Sequence, residues 1–209
     1  TGVEMRALGE LEYYVVAEEE NLFKVADQKG YHQSAPFCKF EDLRTEAMRL
    51  IREKASEWKI DAQKVGVLGS SAGGHLASTI ATHNPEATRP NFQILFYPVI
   101  SMDTTYTESG TREGLIGKDA DKATTDLFSN EKQVTKDTPP TFMAHAINDK
   151  LVTYKNSTIY IDALKDAGVE CELHLYSRGD HGLRAAEGET QSFWHDDCER
   201  WLRMMGVVK

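Results

Sequence analysis

The stretch VGVLGSSAGGH at residues 65–75 places a serine between glycines directly after an apolar run. Gly69-Ser70-Ser71-Ala72-Gly73 fits the pattern G-x-S-x-G, with the strand before it and the helix after it that the pattern requires. Ser71 then occupies a tight strand-to-helix turn, and Gly69 and Gly73 leave out side chains where the backbone crowds. A serine hydroxyl is a weak nucleophile until a base takes its proton. Two downstream residues complete such a relay in the chain order Ser…Asp…His. Asp149 lies just past TFMAHA, in HAINDKLV, and His181 lies just past ECELHLY, in SRGDHG. His181 reads as the general base and Asp149 as the carboxylate that orients it. The N–H of Ala72, at the positive end of the following helix, reads as a first donor to an oxyanion. The chemistry implied is acyl transfer.

Asp103 and Asp180 compete with Asp149. Asp180 adjoins His181, so its side chain is expected to diverge from the imidazole, while Asp103 also follows a strand. Ser70 is off the central position of the motif and reads as a neighbour of the site. His75, on the helix after the turn, is expected to pack or to support the site, and His145, inside a strand, to be buried. His32, His83, His174 and His195 show no partner spacing. Cys38, Cys171 and Cys198 are widely spaced and read as free thiols. No metal or organic cofactor is implied.

These residues need elements to hold them. LEYYVV (residues 11–16) reads as a strand, and residues 17–39 as polar and irregular. The spacing of Leu43, Ala47, Leu50, Ile51, Ala55 and Trp58 predicts a helix over residues 41–58. Short strands are predicted at 65–68, 92–96, 141–146 and 170–176, with helices at 75–81, at 157–167 (capped by Gly168) and at 193–205. Residues 101–139 read as loops and short helices. Strands alternating with helices imply a mostly parallel sheet with chemistry at the carboxyl ends of its strands.

The 209 residues, 40% hydrophobic and 27% charged, fit one globular domain over residues 1–209. A net charge of −9 argues against a nucleic-acid surface. No stretch approaches the ~20 apolar residues that span a bilayer.

With these residues in hand, the chain resembles the α/β-hydrolase superfamily. More narrowly it is similar to bacterial acetylxylan esterase and feruloyl-esterase-like (xylanase-associated) proteins. KIDAQKVGVLGSSAGGHLAST, FYPVISMD, SNEKQVTKDTPPTFMAHAINDKLV, STIYIDALKDAGVECELHLY and RGDHG carry the match, over most of residues 40–209. The resemblance implies a three-layer α/β sandwich and a serine carboxylesterase. Its substrate would be a small ester or acetylated oligosaccharide, with acetyl groups of xylan foremost. Ser71, Asp149 and His181 match the family's triad positions, and TYTESGTREGLIG matches a loop near the acyl pocket or a subunit contact. A serine peptidase of the prolyl-oligopeptidase type shares the turn and the triad order, and a non-catalytic scaffold on a hydrolase fold is the third reading. In such enzymes a second oxyanion N–H comes from a glycine-rich HGGG- or PGGG-type loop, and none precedes residue 65. LEYYVV aligns with the strand after that loop. The chain is therefore expected to begin inside the fold, without the first strands and the second donor. Such a chain is expected to be weakly active or to be completed by another segment or chain, and its exposed sheet edge favours a homo-oligomer.

Overall fold

Apolar runs of five or six residues, each followed by a helical period, fold as parallel strands joined by helical crossovers. The computed structural model describes residues 39–183 and 193–208, and the strand predicted at 11–16 lies outside them. Four strands, β1 (Gly66–Ser70), β2 (Phe92–Phe96), β3 (Thr141–Ala146) and β4 (Cys171–Tyr176), form a parallel sheet in the order β1-β2-β3-β4. The register sets Leu68 beside Ile94, Ile94 beside Phe142 and Phe142 beside Glu172. The helices are α1 (Lys39–Glu53), α2 (Ala55–Trp58), α3 (Ser71–His83), α4 (Ser109–Ile116), α5 (Lys122–Leu127), α6 (Lys155–Asp166) and α7 (Phe193–Met204).

Alternation along β2 and β3 sends side chains into two cores. On one face Ile94, Phe96, Phe142 and Ala144 pack against Cys198 and Trp201 of α7. On the other, Leu95 and Met143 pack against Ala77 of α3 and Tyr160 and Leu164 of α6. Helix, sheet and helix form the three layers. β3 is buried along its whole length, as befits a parallel strand covered on both faces.

Local chemistry explains the boundaries. The predicted helix over 41–58 breaks at Lys54 into α1 and α2. Among its described side chains Met48 and Ala55 are buried, whereas Leu50 and Trp58 remain exposed. The helix after the strand-to-helix turn starts at Ser71 rather than His75, so no loop intervenes between β1 and α3. In the segment 101–139, Glu108 caps α4 by accepting the N–H groups of Gly110 and Thr111, and Asp121 caps α5 by accepting that of Thr124. α6 ends where Gly168 adopts φ +73°, with the Val169 N–H on the Leu164 carbonyl (2.9 Å) and the Gly168 N–H on that of Lys165 (3.0 Å).

Two buried asparagines brace the segments beside the site. Asn130 donates to the Ser78 hydroxyl (2.7 Å) and the His75 carbonyl (3.1 Å), tying residues 128–133 to α3. Asn156, on the first turn of α6, accepts the N–H groups of Ile100 (2.9 Å) and Ser101 (3.0 Å) and so fixes the chain beyond β2.

Candidate active site

The first element of the site is the turn between β1 and α3. Ser71 adopts φ +52°, a left-handed conformation that is uncommon for a residue with a side chain. The Val99 N–H holds the turn by donating to the Ser71 carbonyl at 3.0 Å. A Cβ on Gly69 would overlap the carbonyl of Gly73, so glycine at 69 is what lets α3 start this close to β1. Ala72, the second residue of α3, keeps an N–H that has no partner within the helix and lies at the positive end of the helix dipole.

The second element follows β3. Asp149 turns its own backbone: Oδ1 accepts the N–H groups of Leu151 and Val152, both at 2.9 Å. Oδ2 is thereby aimed at His181, whose Nδ1 stands 2.9 Å away. The third element follows β4, where Asp180 at φ +47° presents His181. Asn148 locks the two loops together, its Nδ2 donating to Asp180 Oδ1 (2.8 Å) and its Oδ1 accepting the Asp180 N–H (3.0 Å). His181 Nε2 lies 2.9 Å from Ser71 Oγ, and the Tyr97 ring meets the imidazole edge-on with centroids 4.9 Å apart.

The Asp149 side chain is fully shielded from solvent, that of His181 one-quarter exposed. Burial alone would raise the Asp149 carboxyl. The Val152 N–H, the His181 imidazole and the Leu151 N–H together outweigh it and hold the group below its ordinary value. The ionised carboxylate accepts from Nδ1, so the network assigns the Nδ1–H tautomer to His181 and leaves Nε2 free to accept the Ser71 proton. Beside Ala72 opens a cavity of about 330 Å³, walled by Val99, Met102, Leu115 and His75 with Glu108 at its edge. The TYTESGTREGLIG segment thus lies against the site. The Glu108 carboxylate, bonded to the Thr111 hydroxyl and to the N–H groups of Thr111 and Gly110, is held below its ordinary value.

Ser71, Asp149 and His181 therefore converge from three strand ends, with Ala72 alongside. The rival carboxylates do not join them: Asp180 bonds Asn148, and Asp103 accepts the Thr105 N–H at 2.8 Å. His75 bonds the Phe128 carbonyl at 2.8 Å. Tyr97, Asn148 and His145 also belong to this neighbourhood, and sequence reasoning does not single them out for it. The signal for Tyr97 was its place at a strand end before Pro98; for Asn148, its adjacency to Asp149; for His145, its position one alternation step from Met143 on β3. Among the described residues no group of three or more His, Cys, Asp or Glu could hold a metal ion, and no helix is long and apolar enough to cross a membrane.

A parallel sheet between helical layers, with a serine on the turn from strand to helix, defines the α/β-hydrolase fold. Residues 39–205 match the prolyl oligopeptidase family, and the chain belongs to it. Over 172 residues the chain is 37% identical to an acetylxylan esterase of Xylanibacter ruminicola, covering 78% of this chain and 35% of that protein. Over 187 residues it is 34% identical to endo-1,4-beta-xylanase B of Butyrivibrio fibrisolvens, covering 83% and 29%. The chain thus spans about a third of the length of these curated relatives. Among solved structures, an acetyl ester-xyloside bifunctional hydrolase from Caldicellulosiruptor lactoaceticus superposes with a TM-score of 0.75 at 34% identity, covering 84% of this chain and 69% of that one.

Proposed function

We propose that the chain is a serine carboxylesterase that removes short acyl groups, acetyl above all, from xylan or xylo-oligosaccharides. The observation that carries the reading is the unbroken relay from buried Asp149 through His181 to Ser71, with both links at 2.9 Å. Acetylxylan esterase and acetyl ester-xyloside hydrolase relatives support the substrate class. In the first half-reaction His181 Nε2 takes the proton of Ser71 as Oγ attacks the ester carbonyl carbon. The resulting oxyanion lies toward the Ala72 N–H, and one such donor contributes about 10²- to 10³-fold in turnover. Collapse breaks the carbon–oxygen bond to the sugar, which leaves with the proton held by His181. In the second half-reaction His181 deprotonates water, the hydroxide attacks the acyl-enzyme, and the acid departs as Ser71 recovers its proton. The cavity beside Ala72 offers the acyl group an apolar wall.

The test is hydrolysis of p-nitrophenyl acetate by the wild-type chain and by Ser71→Ala, with labelling of Ser71 by a fluorophosphonate. Loss of turnover and of labelling in the variant is the expected result. Retained hydrolysis by Ser71→Ala would remove the assigned nucleophile. Faster turnover of a proline amide than of the acetyl ester would favour the peptidase reading, and an unlabelled wild-type Ser71 would favour a scaffold.

A further inference from the structure

His145 is fully buried on β3, and no step above uses it. Its ring stands behind the relay carboxylate. Nδ1 lies 2.8 Å from the Ser157 hydroxyl, and Nε2 lies 2.9 Å from the Val152 carbonyl and 3.3 Å from Asp149 Oδ2. Both partners of Nε2 can only accept, so Nε2 carries the hydrogen; it donates to the Val152 carbonyl and turns its positive edge toward Asp149 Oδ2 at 3.3 Å. Nδ1 is then the bare nitrogen, and the Ser157 O–H donates to it. Ser157 is itself fully buried, on the first turn of α6.

We infer that His145 is a positioning residue of the relay: its N–H, bonded to the Val152 carbonyl, sets its positive edge against Asp149 Oδ2 and keeps that oxygen in line with His181, and Ser157 fixes the tautomer that supplies the N–H. The inference rests on the hydrolase reading above and deepens it. Oδ1 takes the N–H groups of Leu151 and Val152, Oδ2 takes that of His181, and His145 Nε2 stands 3.3 Å from Oδ2 on its other side. Protein groups thus face both carboxylate oxygens, as a side chain shielded from water requires. Burial holds the His145 imidazole below its ordinary value, so the ring stays neutral and its single N–H stays committed. The titratable groups facing the cluster are Asp149 and His181, with Tyr97 edge-on to His181; Asp180 is turned to Asn148.

A positive N–H edge beside Oδ2 draws charge away from the bond to His181. Without it, Asp149 attracts the protonated imidazole more strongly, and the acid limb of the pH–rate profile moves to higher pH. The experiment follows the rate of Ser71 labelling by a fluorophosphonate from about pH 5 to 9, with melting temperatures measured alongside. His145→Leu removes the donor at similar bulk, whereas His145→Gln carries an amide N–H to the place of Nε2. The Leu variant is expected to shift the acid limb up by about 0.5–1 pH unit and to label more slowly, and the Gln variant to return the limb to its wild-type position. A merely structural role would lower both melting temperatures and leave the limb in place, which overturns the inference; an equal shift in both variants overturns it too. Where His145→Leu does not fold, Ser157→Ala frees the tautomer and is expected to move the limb the same way by less, and an unmoved limb again overturns it. A wild-type chain whose Ser71 takes no label removes the hydrolase reading and the inference with it. A labelled wild type whose variants keep its profile removes the inference alone.

Discussion

Replacing Gly69 by alanine tests whether backbone packing sets the turn that presents Ser71. Gly69 is the penultimate residue of β1. A Cβ there would overlap the Gly73 carbonyl and stand 2.9 Å from the Ala77 Cβ. The first is backbone and the second is a side chain's innermost atom, so no rotamer change relieves either contact. Restoring ordinary carbon contacts of about 3.5–4.0 Å requires β1 and α3 to part by on the order of 1 Å. Overpacking of that kind costs about 1–3 kcal/mol, and each kcal/mol lowers the melting temperature of a domain this size by about 2–4 °C. The same displacement, carried to Ser71 Oγ, is expected to lower kcat/KM on p-nitrophenyl acetate about 100-fold. Gly168→Ala is the control. Its φ is +73° but a Cβ there meets nothing within 4 Å. Only backbone strain of about 1–2 kcal/mol is added, and kcat/KM is expected to stay at the wild-type value. Wild-type turnover and melting in Gly69→Ala, or an equal loss of activity in Gly168→Ala, would refute the reasoning.

Asp149→Asn keeps an acceptor for the Leu151 and Val152 N–H groups but sets an amide N–H against His181 Nδ1. His181 must then carry its proton on Nε2, facing Ser71, and kcat on p-nitrophenyl acetate is expected to fall about 10³- to 10⁴-fold while the chain stays folded; a loss below tenfold would contradict the assignment. Stability against pH follows from His145, whose buried ring titrates below its ordinary value. A depressed histidine contributes stability that is complete above the unfolded value of about 6.5 and is lost as pH falls toward the folded value. The melting temperature is therefore expected to decline below about pH 6.5, and His145→Gln to flatten that part of the curve; parallel curves for the two proteins would remove His145 as the cause.

The residues that attack, accept a proton and orient are legible in the sequence because each is tied to a strand end. G-x-S-x-G after VGVL, and Asp149 and His181 after TFMAHA and ECELHLY, follow from local pattern and chain order alone. Adjacency to His181 already argues against Asp180 in the sequence; what holds Asp180 and Asp103 away is visible only in the structure, in the Asn148–Asp180 exchange, the Asp103–Thr105 bond and the turn that points Asp149 Oδ2 inward. His145 shows the same limit. Alternation along β3 gives it the α6 face, but nothing in the sequence brings Ser157 to one ring nitrogen and Asp149 to the other. Helical spacing also fails where exposure depends on partners: it predicts Leu50 and Trp58 on the buried face of a helix over 41–58, yet they are 40% and 48% exposed while Met48 is buried. The start of α3 is hidden for a further reason. Ser71 at φ +52° enters the helix through a conformation that composition does not reveal.

Backbone strain in the described residues gathers at the site. Of the five non-glycine residues with positive φ, Ser71 belongs to the relay, Tyr97 touches His181, Asp180 and Leu183 flank it in sequence, and only Lys59 lies elsewhere. Such conformations cost on the order of 1–3 kcal/mol each and persist where the surroundings over-determine them. Here the surroundings are specific. The Tyr97 N–H is held by the Ala144 carbonyl at 2.8 Å, Asp180 by Asn148, and Leu183 is buried in the cluster that contains Trp201. The support for the relay converges on one helix start. Asn156 fixes Ile100 and Ser101, the neighbours of the Val99 that holds the Ser71 turn, and Ser157, the next residue, fixes His145 behind Asp149. The first turn of α6 thus steadies the nucleophile from one side and the orienting carboxylate from the other. A shift of this turn would move both ends of the relay together, whereas a change in Asn156 or Ser157 alone would reach only one of them.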